Sequence, residues 1–504
     1  MFSSLTWEED LEMGSKAKLL LFSHVSNTRS ITGAEKLLLF LCRKLSVHFN
    51  CTLVAPQEGQ LTRQARSQGL AVIVRSYPLL HEMYTPAAHL HKEADRLRSS
   101  LACQTLAEMI RTESPDYVLT NTCVNILPAL AASSLGIPVI WSITEAMVVN
   151  EFTPLSVELI SRYSQWIIGI SEASISAFRG TGAEERISLL FPSWNPESVH
   201  QDSWPQIREE KRMELGLHPD DRLVGYISSF LTQEKGLDHF IDMALMICST
   251  HRNARFLVIG RIINKDYYAL CLSKVNASEY RTRFTFVAFE ESVEAAYSAM
   301  DIVVVPSLVP EGFGLTALEA MVYGKPVAAY ASGGLREILE MAGSGHYLAE
   351  CGDFADLAAK VGMLLDDPGE LAQTAALNLQ RVHEVFGSAA YEERIRQWLI
   401  RWSNVQPERV HLQEGEEGLI CLPVVSLAQA PPAHPQSADA QPLKKSVARG
   451  KRRKGRRRKF GRHLRRASKG GGVGAGRRSG KRRRTAGVRR ARRANLRRRR
   501  AKAR

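Results

Sequence analysis

Cysteines are few in this sequence, and none of them are closely spaced. Its 504 residues include only eight cysteines, no two of them are spaced as Cys-x-x-Cys, and no group of histidines accompanies them. This pattern provides neither a disulfide framework nor the spacing of a zinc site. We therefore expect reduced, buried thiols in a cytosolic protein, and no metal site.

Long apolar segments are also missing. The longest runs, such as Lys18–Phe22 and Ile302–Val305, are far shorter than the ~20 residues that a membrane-spanning helix needs. Residues 1–18 lack the basic start and the apolar core of a signal peptide. These absences predict a cytoplasmic protein without a transmembrane segment, or one that lies peripherally at an anionic surface.

Residues 444–504 contain no acidic residue. They carry 31 Lys and Arg residues, whereas the other 36 of the 67 basic residues are outnumbered by the 52 acidic ones. This low-complexity segment cannot bury a core, so we expect it to be disordered and to bind a polyanion by charge, as a protamine-like tail does. Nucleic acid, an anionic glycopolymer and an anionic membrane surface all fit this pattern, and so does a solubilising tail without a defined partner.

The rest of the sequence alternates short apolar runs with amphipathic helical segments. The alternation begins at Lys18 and starts again at Leu223. Repeated βα units predict parallel sheets with helices on both faces, and ligands of such sheets bind at the carboxyl ends of the strands. Asn121-Thr122 and Thr144-Glu145 follow two of the predicted strands, so these pairs are candidate site residues.

The most informative stretch lies in the second set of βα units. The run Ile302–Val305 is followed by Pro306, then by a glycine-containing loop and a helix that begins near Thr316. A helix N-terminus offers free N–H groups and the positive end of a dipole, which together form an anion site. Glu311 and Glu319 flank this turn. Because carboxylates accept hydrogen bonds from hydroxyl groups, the stretch resembles a cradle for a phosphate that carries sugars; an ordinary βα unit with solvated glutamates is the alternative.

The surrounding sequence, from Asp301 to Ile338, resembles the donor-site signature of the retaining glycosyltransferases of family 4. The matching fragments are Pro306-Ser307, Glu311-Gly312-Phe313-Gly314, Glu319-Ala320-Met321, Gly324-Lys325-Pro326-Val327 and Gly333-Gly334 with Glu337. The resemblance is specific in the second half of the chain and loose in the first. It implies an α/β protein with the GT-B fold, in which two Rossmann-like domains face each other across a cleft.

The resemblance also implies a reaction and roles for individual residues. The implied activity is transfer of a sugar from a nucleotide-diphosphate sugar to a glycan, lipid or protein acceptor, with retention of configuration and without a metal or cofactor, as in polysaccharide biosynthesis. Glu311 is expected on the donor sugar, Lys235 on the diphosphate and Glu319 on the ribose. The remaining residues expected at the donor are Gly33, Gly312, Phe313, Gly314, Leu315 and Thr316.

Two departures from the family pattern bear on activity. Family members often have a histidine before the glutamate at Glu145, whereas this chain has Thr144, which cannot serve as an acid or base at neutral pH. We keep Thr144 and Glu145 as the expected catalytic residues beside Glu311, and His24 as a possible substitute for the histidine. The family's second donor-site cation, an arginine, is replaced by Ser228, Ser229 and Phe230, and Arg261 is a candidate replacement.

These observations give two readings of function. The first is a glycosyltransferase of the hexosyl or a related class; the second is a weak or silent relative that binds a polyanion, or associates with a coat or envelope, through its tail. Both share one expected organisation: an N-terminal extension (1–15), an acceptor-side domain (16–203), a donor-binding domain (204–387), a terminal helix that returns to the first domain (388–403), a Pro- and Ala-rich linker (404–443) and the disordered basic tail (444–504).

Overall fold

The computed structural model describes residues 15–290, 292–416 and 418–423. The predicted N-terminal extension lies outside these residues except for its last position. The predicted basic tail and residues 424–443 of the predicted linker lie wholly outside them.

The first domain is built on a seven-stranded parallel sheet. Apart from the edge strand β3, its strands are almost completely buried because helices cover both faces, which explains the continuous apolar runs in the sequence. Their order across the sheet is β3-β2-β1-β4-β5-β6-β7. The strands are β1 (Lys18–Phe22), β2 (Asn50–Ala55), β3 (Ala71–Val74), β4 (Tyr117–Asn121), β5 (Val139–Ile143), β6 (Trp166–Gly169) and β7 (Ile187–Leu189). The helices are α1 (Gly33–Leu45), α2 (Gln60–Ser67), α3 (Leu90–Arg98), α4 (Leu101–Glu113), α5 (Ile126–Ser134), α6 (Thr153–Tyr163) and α7 (Glu172–Ile175).

The second domain repeats this plan with a six-stranded parallel sheet. The strand order is β10-β9-β8-β11-β12-β13. The strands are β8 (Arg222–Leu231), β9 (Ala254–Ile262), β10 (Phe284–Val287), β11 (Ile302–Val305), β12 (Val327–Tyr330) and β13 (Leu348–Ala349). The helices are α8 (Trp204–Glu214), α9 (Leu237–Thr250), α10 (Lys265–Ala277), α11 (Val293–Ala299), α12 (Leu315–Val322), α13 (Gly334–Met341), α14 (Phe354–Asp366) and α15 (Pro368–Phe386). The expectation of two Rossmann-like domains is confirmed.

Each sheet reverses its strand order at one place. In the first sheet β1 lies beside β4, and in the second β8 lies beside β11. Loops that leave the carboxyl ends of such neighbouring strands diverge to opposite faces and open a crevice, which is where ligands of open α/β sheets bind. The loop before Gly33 and the loop after Val305 therefore belong to the two crevices.

The end of the described chain packs on the first domain. Helix α16 (Ser388–Val405) contributes Tyr391, Ile395, Trp398 and Trp402 to the same apolar cluster as β1 and α1. The Trp402 ring lies 5.1 Å from that of Tyr117 on β4. This burial of large aromatic rings fixes the helix on the first domain.

Part of the predicted linker is a β-hairpin. Strands β14 (His411–Gly415) and β15 (Gly418–Leu422) pair antiparallel. The Ala17 N–H donates to the Cys421 carbonyl at 2.7 Å, and the Cys421 N–H donates to the His48 carbonyl at 2.9 Å. The linker prediction is wrong for this segment because Leu412 and Cys421, which pair across the hairpin, pack against the apolar cluster of the first domain.

The cysteines are all free thiols, and seven of the eight are buried. Cys351 is exposed, so the expectation of buried thiols is wrong at that position. Within the part of the chain that the structure describes, every helix is too short or too polar to cross a membrane.

Candidate active site

A cavity of about 340 Å³ lies between the two domains. Its walls come from the β1–α1 loop and β5 end of the first domain and from the β8, β11 and α12 region of the second. All expected donor-site residues except Arg261 line it, together with Thr144 and Glu311. Its volume falls within the range of about 300–1,000 Å³ typical of small-molecule sites. The residues that the sequence grouped as a donor site therefore line one cavity with walls from both domains, which we call the donor-side cavity.

The turn between β11 and α12 forms the floor of the cavity. Gly314 is the residue before α12 and has φ of +104°, a left-handed conformation that an L side chain rarely adopts. Gly334 packs against the same turn: a Cβ there would lie 2.4 Å from the Phe313 Cα. The Gly334 N–H donates to the Glu311 carbonyl at 2.8 Å. These glycines hold the first turn of α12, with its unpaired N–H groups, toward the cavity.

Glu311 and Lys235 form an ion pair at the cavity wall. The Lys235 Nζ lies 2.5 Å from the Glu311 Oε1, and the two side chains are 39% and 19% exposed. The Tyr226 hydroxyl donates to the Lys235 carbonyl at 3.2 Å, which fixes the backbone at that lysine. Because the pair is open to the cavity, its carboxylate and its ammonium group can both be reached by a ligand.

Glu319 lies one helical turn further along α12 and is held from both domains. Its Oε2 accepts a hydrogen bond from the Tyr297 hydroxyl at 3.2 Å, and its Oε1 lies 2.9 Å from the Lys36 Nζ of the first domain. The carboxylate raises the pKa of Lys36, against the opposing effect of burial. Tyr297 is fully buried and its ring stacks on that of Tyr323 at 5.4 Å, so the carboxylate is positioned by a rigid neighbour.

The loop before α1 is organised by a buried carboxylate. Glu35 accepts hydrogen bonds from the backbone N–H and the hydroxyl of Thr32, both at 2.8 Å, and from the backbone N–H of Asn27 at 3.0 Å. The Thr32 hydroxyl in turn accepts from the Glu35 N–H, which completes a capping box. This network fixes Gly33 against Leu315, where a Cβ on the glycine would lie 2.8 Å from the leucine Cδ1.

Thr144 and Glu145 line different cavities. Thr144 lines the donor-side cavity, whereas Glu145 lines a neighbouring one of about 510 Å³ in the first domain, with His81, Glu82, Tyr84, Thr85 and Val124. The Cys123 N–H donates to the Glu145 Oε2 at 3.1 Å. Burial raises the pKa of Glu145 despite this hydrogen bond. Glu311 and Thr144 therefore line the same cavity, and Glu145 lines the neighbouring one.

The two residues considered as substitutes lie away from the donor-side cavity. Arg261 is exposed, and its guanidinium lies 5.7 Å from the centre of the Phe230 ring. Phe230 lines the cavity and Arg261 does not; the two residues are neighbours because β8 continues to Leu231 and pairs with the end of β9. Burial, and then the charge of His81, lower the pKa of His24 to about 4. The expected role of Arg261 at the donor is therefore corrected: among the residues that line the cavity, Ser228 and Ser229 occupy the place where the family's arginine was expected.

Three contacts across the cleft were missed by sequence reasoning. Glu337 accepts hydrogen bonds from the N–H groups of Glu172 and Ala173, at 2.8 and 2.6 Å. The Ser171 hydroxyl donates to the Gly312 carbonyl, and Lys36 reaches Glu319. Each pair is separated by more than a hundred residues, so no local pattern indicated it. Of the residues in these contacts, only Lys36 could have been found from the sequence, because it lies one helical turn after the candidate site residue Gly33.

Comparison with known proteins identifies the second domain. Residues 207–393 match the family model described as Glycosyl transferases group 1. The chain is 29% identical over 210 residues to the 2-deoxystreptamine glucosyltransferase of Streptomyces kanamyceticus, covering 41% of this chain and 52% of the relative. It is also 29% identical over 205 residues to the lipopolysaccharide core biosynthesis mannosyltransferase LpsB of Rhizobium meliloti, covering 38% and 57%. The chain thus spans little more than half the length of these relatives.

The solved structures extend the likeness to both domains. Anabaena Alr3699/HepE in complex with UDP superimposes with a TM-score of 0.63 at 20% identity, over 76% of this chain and 99% of that one. At this identity the comparison shows the fold. The chain has the GT-B fold that its sequence predicted, and its residues 207–393 are similar to the glycosyl transferases group 1 family.

Proposed function

We propose that this protein is a retaining glycosyltransferase of family 4 that takes its sugar from a nucleotide-diphosphate sugar. The observation that carries the proposal is the pair Glu311 and Glu319, which flank the N-terminal turn of α12 inside a cavity shared by two domains. Carboxylates bind sugar hydroxyl groups, and a helix N-terminus binds phosphate. One ligand that contains both groups in sequence is a nucleotide sugar.

The donor would lie along the floor of the cavity. The N–H groups of residues 312–315 and the Lys235 ammonium would hold the diphosphate, Glu311 the hydroxyls of the transferred sugar, and Glu319 the ribose. HepE has been solved with UDP and with UDP-glucose, which supports a donor of this class. The named relatives transfer glucosyl and mannosyl groups, so the donor sugar itself is left to experiment.

The acceptor would bind in the neighbouring cavity that Glu145 lines. Glu82 and Glu145 supply carboxylates, and none of the described residues lining this cavity is a lysine or arginine. Such a wall favours an acceptor with free hydroxyl or amino groups over one that presents a phosphate. This second cavity would adjoin the bound donor, because Gly312 of the donor-side cavity contacts the backbone of Thr144 and Glu145.

The transfer breaks the bond between the anomeric carbon and the diphosphate oxygen and forms a bond from that carbon to the acceptor oxygen. The nucleoside diphosphate and the proton of the acceptor hydroxyl are released. Negative charge grows on the diphosphate as the bond breaks, so preorganised N–H groups and Lys235 lower the barrier by electrostatic stabilisation. Because Thr144 cannot take a proton at neutral pH, the proposed reaction proceeds without an imidazole at that position.

A ligand screen tests this function. The full chain would be heated with UDP, GDP, ADP and their common sugar conjugates, since a ligand that binds only the folded state raises the melting temperature. We expect stabilisation by one nucleoside diphosphate and release of that diphosphate from its sugar conjugate, unchanged by EDTA. Failure of every nucleotide to stabilise the protein or to turn over would reject the proposal.

The basic tail is proposed to bind a polyanion independently of catalysis. Its 31 cationic residues without a single acidic one would release counterions on binding, so affinity should fall steeply with salt. A chain truncated before Lys444 should keep nucleotide binding and lose retention on an anionic polymer column. Equal retention of both chains would remove this role.

A further inference from the structure

The donor-side cavity contains two lysines and two glutamates, arranged as two ion pairs. Lys235 pairs with Glu311 at 2.5 Å within the second domain. Lys36 pairs with Glu319 at 2.9 Å across the cleft. Among the described residues that line the cavity there is no other charged side chain. The lining of the cavity is therefore neutral overall, whereas a nucleotide-diphosphate sugar brings about two negative charges that need cations.

The packing of the N-terminus of α1 against that of α12 places Lys36 at the floor of the cavity. It lies one turn after Gly33 on α1, and Gly33 contacts Leu315, the first residue of α12. The Lys36 N–H donates to the Thr32 carbonyl at 2.9 Å, so its backbone belongs to the rigid start of α1. The side chain itself is 46% exposed, which leaves the ammonium group free to change partners.

The two partners of Glu319 differ in freedom. Tyr297, which holds Oε2, is fully buried and stacked on Tyr323. Lys36, which holds Oε1, is half exposed at the end of a flexible four-carbon chain. Both carboxylate oxygens thus already have partners within the protein. Lys36 is therefore the partner of Glu319 that can move toward a phosphate, and the carboxylate oxygens keep lone pairs for ribose hydroxyl groups.

We propose that Lys36 is the second cation for the donor diphosphate, supplied by the first domain, and that it exchanges Glu319 for the diphosphate when the donor binds. The proposal rests on the proposed function and adds a binding residue to it. After the exchange the ribose hydroxyl groups hydrogen-bond to the Glu319 carboxylate, and the diphosphate pairs with the Lys36 ammonium group. The exchange replaces the arginine that the second domain lacks, and it makes donor binding depend on both domains.

If the Lys36–Glu319 pair had a purely structural role, loss of Lys36 would disturb the folded protein whether or not a ligand carries phosphate. An ion pair as exposed as this one, 46% and 31% on its two side chains, contributes little to stability in general. Loss of Lys36 should therefore leave the melting temperature almost unchanged. Its effect should appear only when a ligand carries phosphate.

The test compares a nucleoside diphosphate with its nucleoside. The full chain and its Lys36→Gln and Lys36→Arg variants would be titrated by calorimetry and ligand-observed NMR, using UDP and uridine, or the GDP or ADP pair if the screen selects it. Lys36→Gln should weaken the diphosphate about tenfold to a hundredfold, the effect expected for a hydrogen bond between charged groups. The nucleoside should bind as well as before or better, since Glu319 is released. Lys36→Arg should stay within a few-fold of the original chain.

Two controls separate the possible failures. Lys44→Gln changes a lysine on the same helix that pairs with Glu392 outside this cavity, and it should bind both ligands normally. Lys235→Gln should weaken the diphosphate and so report on the proposed function itself. If Lys235→Gln weakens binding and Lys36→Gln does not, the exchange is wrong and the function stands. An equal loss of both ligands in Lys36→Gln would mean a structural role and overturn the exchange, and no diphosphate binding by the original chain would reject the function as well.

Discussion

Gly312 touches the backbone of Thr144 across the cleft. A Cβ at residue 312 would lie 2.2 Å from the Thr144 carbonyl oxygen and 3.2 Å from the Glu145 Cα. The first number is far below any contact that real side chains make, and the obstructing atoms belong to backbone. The glycine therefore lets the loop after β11 of one domain meet the end of β5 of the other.

Gly312→Ala should prevent this approach. Its φ lies outside the left-handed region, so alanine is conformationally allowed and the effect is steric. We expect the second domain to fold and the catalytic rate to fall by about a hundredfold or more, because displacing reacting groups by about 1 Å can cost that much. Steady-state kinetics with the nucleotide sugar found in the screen measures the loss.

Gly182→Ala is the matched control for this change. A methyl group at residue 182 would have no heavy atom of another residue within 4 Å, beyond its neighbours in the chain, and the variant should keep full activity. Small-angle X-ray scattering should show Gly312→Ala as the more extended molecule. Normal turnover by Gly312→Ala would mean that the domains do not need this contact.

Glu319→Gln should weaken nucleoside binding. The substitution keeps the shape of the side chain but removes the charge that accepts hydrogen bonds from ribose hydroxyls. The nucleoside should lose about tenfold or more in affinity, since hydrogen bonds to a charged group contribute about 1.5–3 kcal/mol. Calorimetry measures the change, and Glu340→Gln on the exposed face of α13 serves as control. An unchanged affinity would remove Glu319 from the donor site.

Glu311→Gln should act on transfer more than on nucleotide affinity. Glu311 is expected on the transferred sugar, which free nucleoside diphosphate lacks. We predict that kcat/KM for the nucleotide sugar falls by about tenfold to a hundredfold, while the affinity for the nucleoside diphosphate changes little. Loss of diphosphate binding equal to the loss of transfer would instead indicate that Glu311 acts only by positioning Lys235.

Glu145 makes stability depend on pH. Burial raises the pKa of Glu145 above its ordinary value of 4.5, so the folded protein holds a proton that the unfolded chain has already released. Stability then falls as pH rises from 4.5 through the raised pKa of the folded state, and the cost persists at neutral pH.

Replacement by glutamine isolates this contribution. Glu145→Gln stays neutral and can still accept the Cys123 N–H, so it should melt at a higher temperature than the original chain at pH 7 and at nearly the same temperature at pH 4. Thermal melts across this range measure the difference, with the exposed Glu151→Gln as reference. A lower melting temperature at pH 7 would contradict the burial argument.

Much of the fold and of the donor-side cavity followed from local patterns. The run Ile302–Val305, the proline after it and the glycines at 312 and 314 specify strand, turn and helix through backbone chemistry alone. Gly33 and Lys235 were expected at the donor because the sequences around them resemble the family's motifs at these places. The end of this strand, the proline and the four residues Gly33, Lys235, Gly312 and Gly314 all line one cavity.

Other features depend on long-range packing. Lys36 and Glu319 are 283 positions apart, and only the approach of two domains brings them together. Arg261 faces Phe230 because β8 is longer than its apolar core suggests. The hairpin 411–422 lies within the predicted linker because its two short strands depend on packing against the first domain, which the local sequence does not indicate.

A crystal structure of the full chain with its nucleotide sugar tests the central claim most directly. The account predicts the diphosphate at the N-terminal turn of α12, with Glu311 on the sugar, Glu319 on the ribose and both domains in contact with the ligand. A nucleotide bound elsewhere, or one in this cavity that touches neither carboxylate, would contradict it.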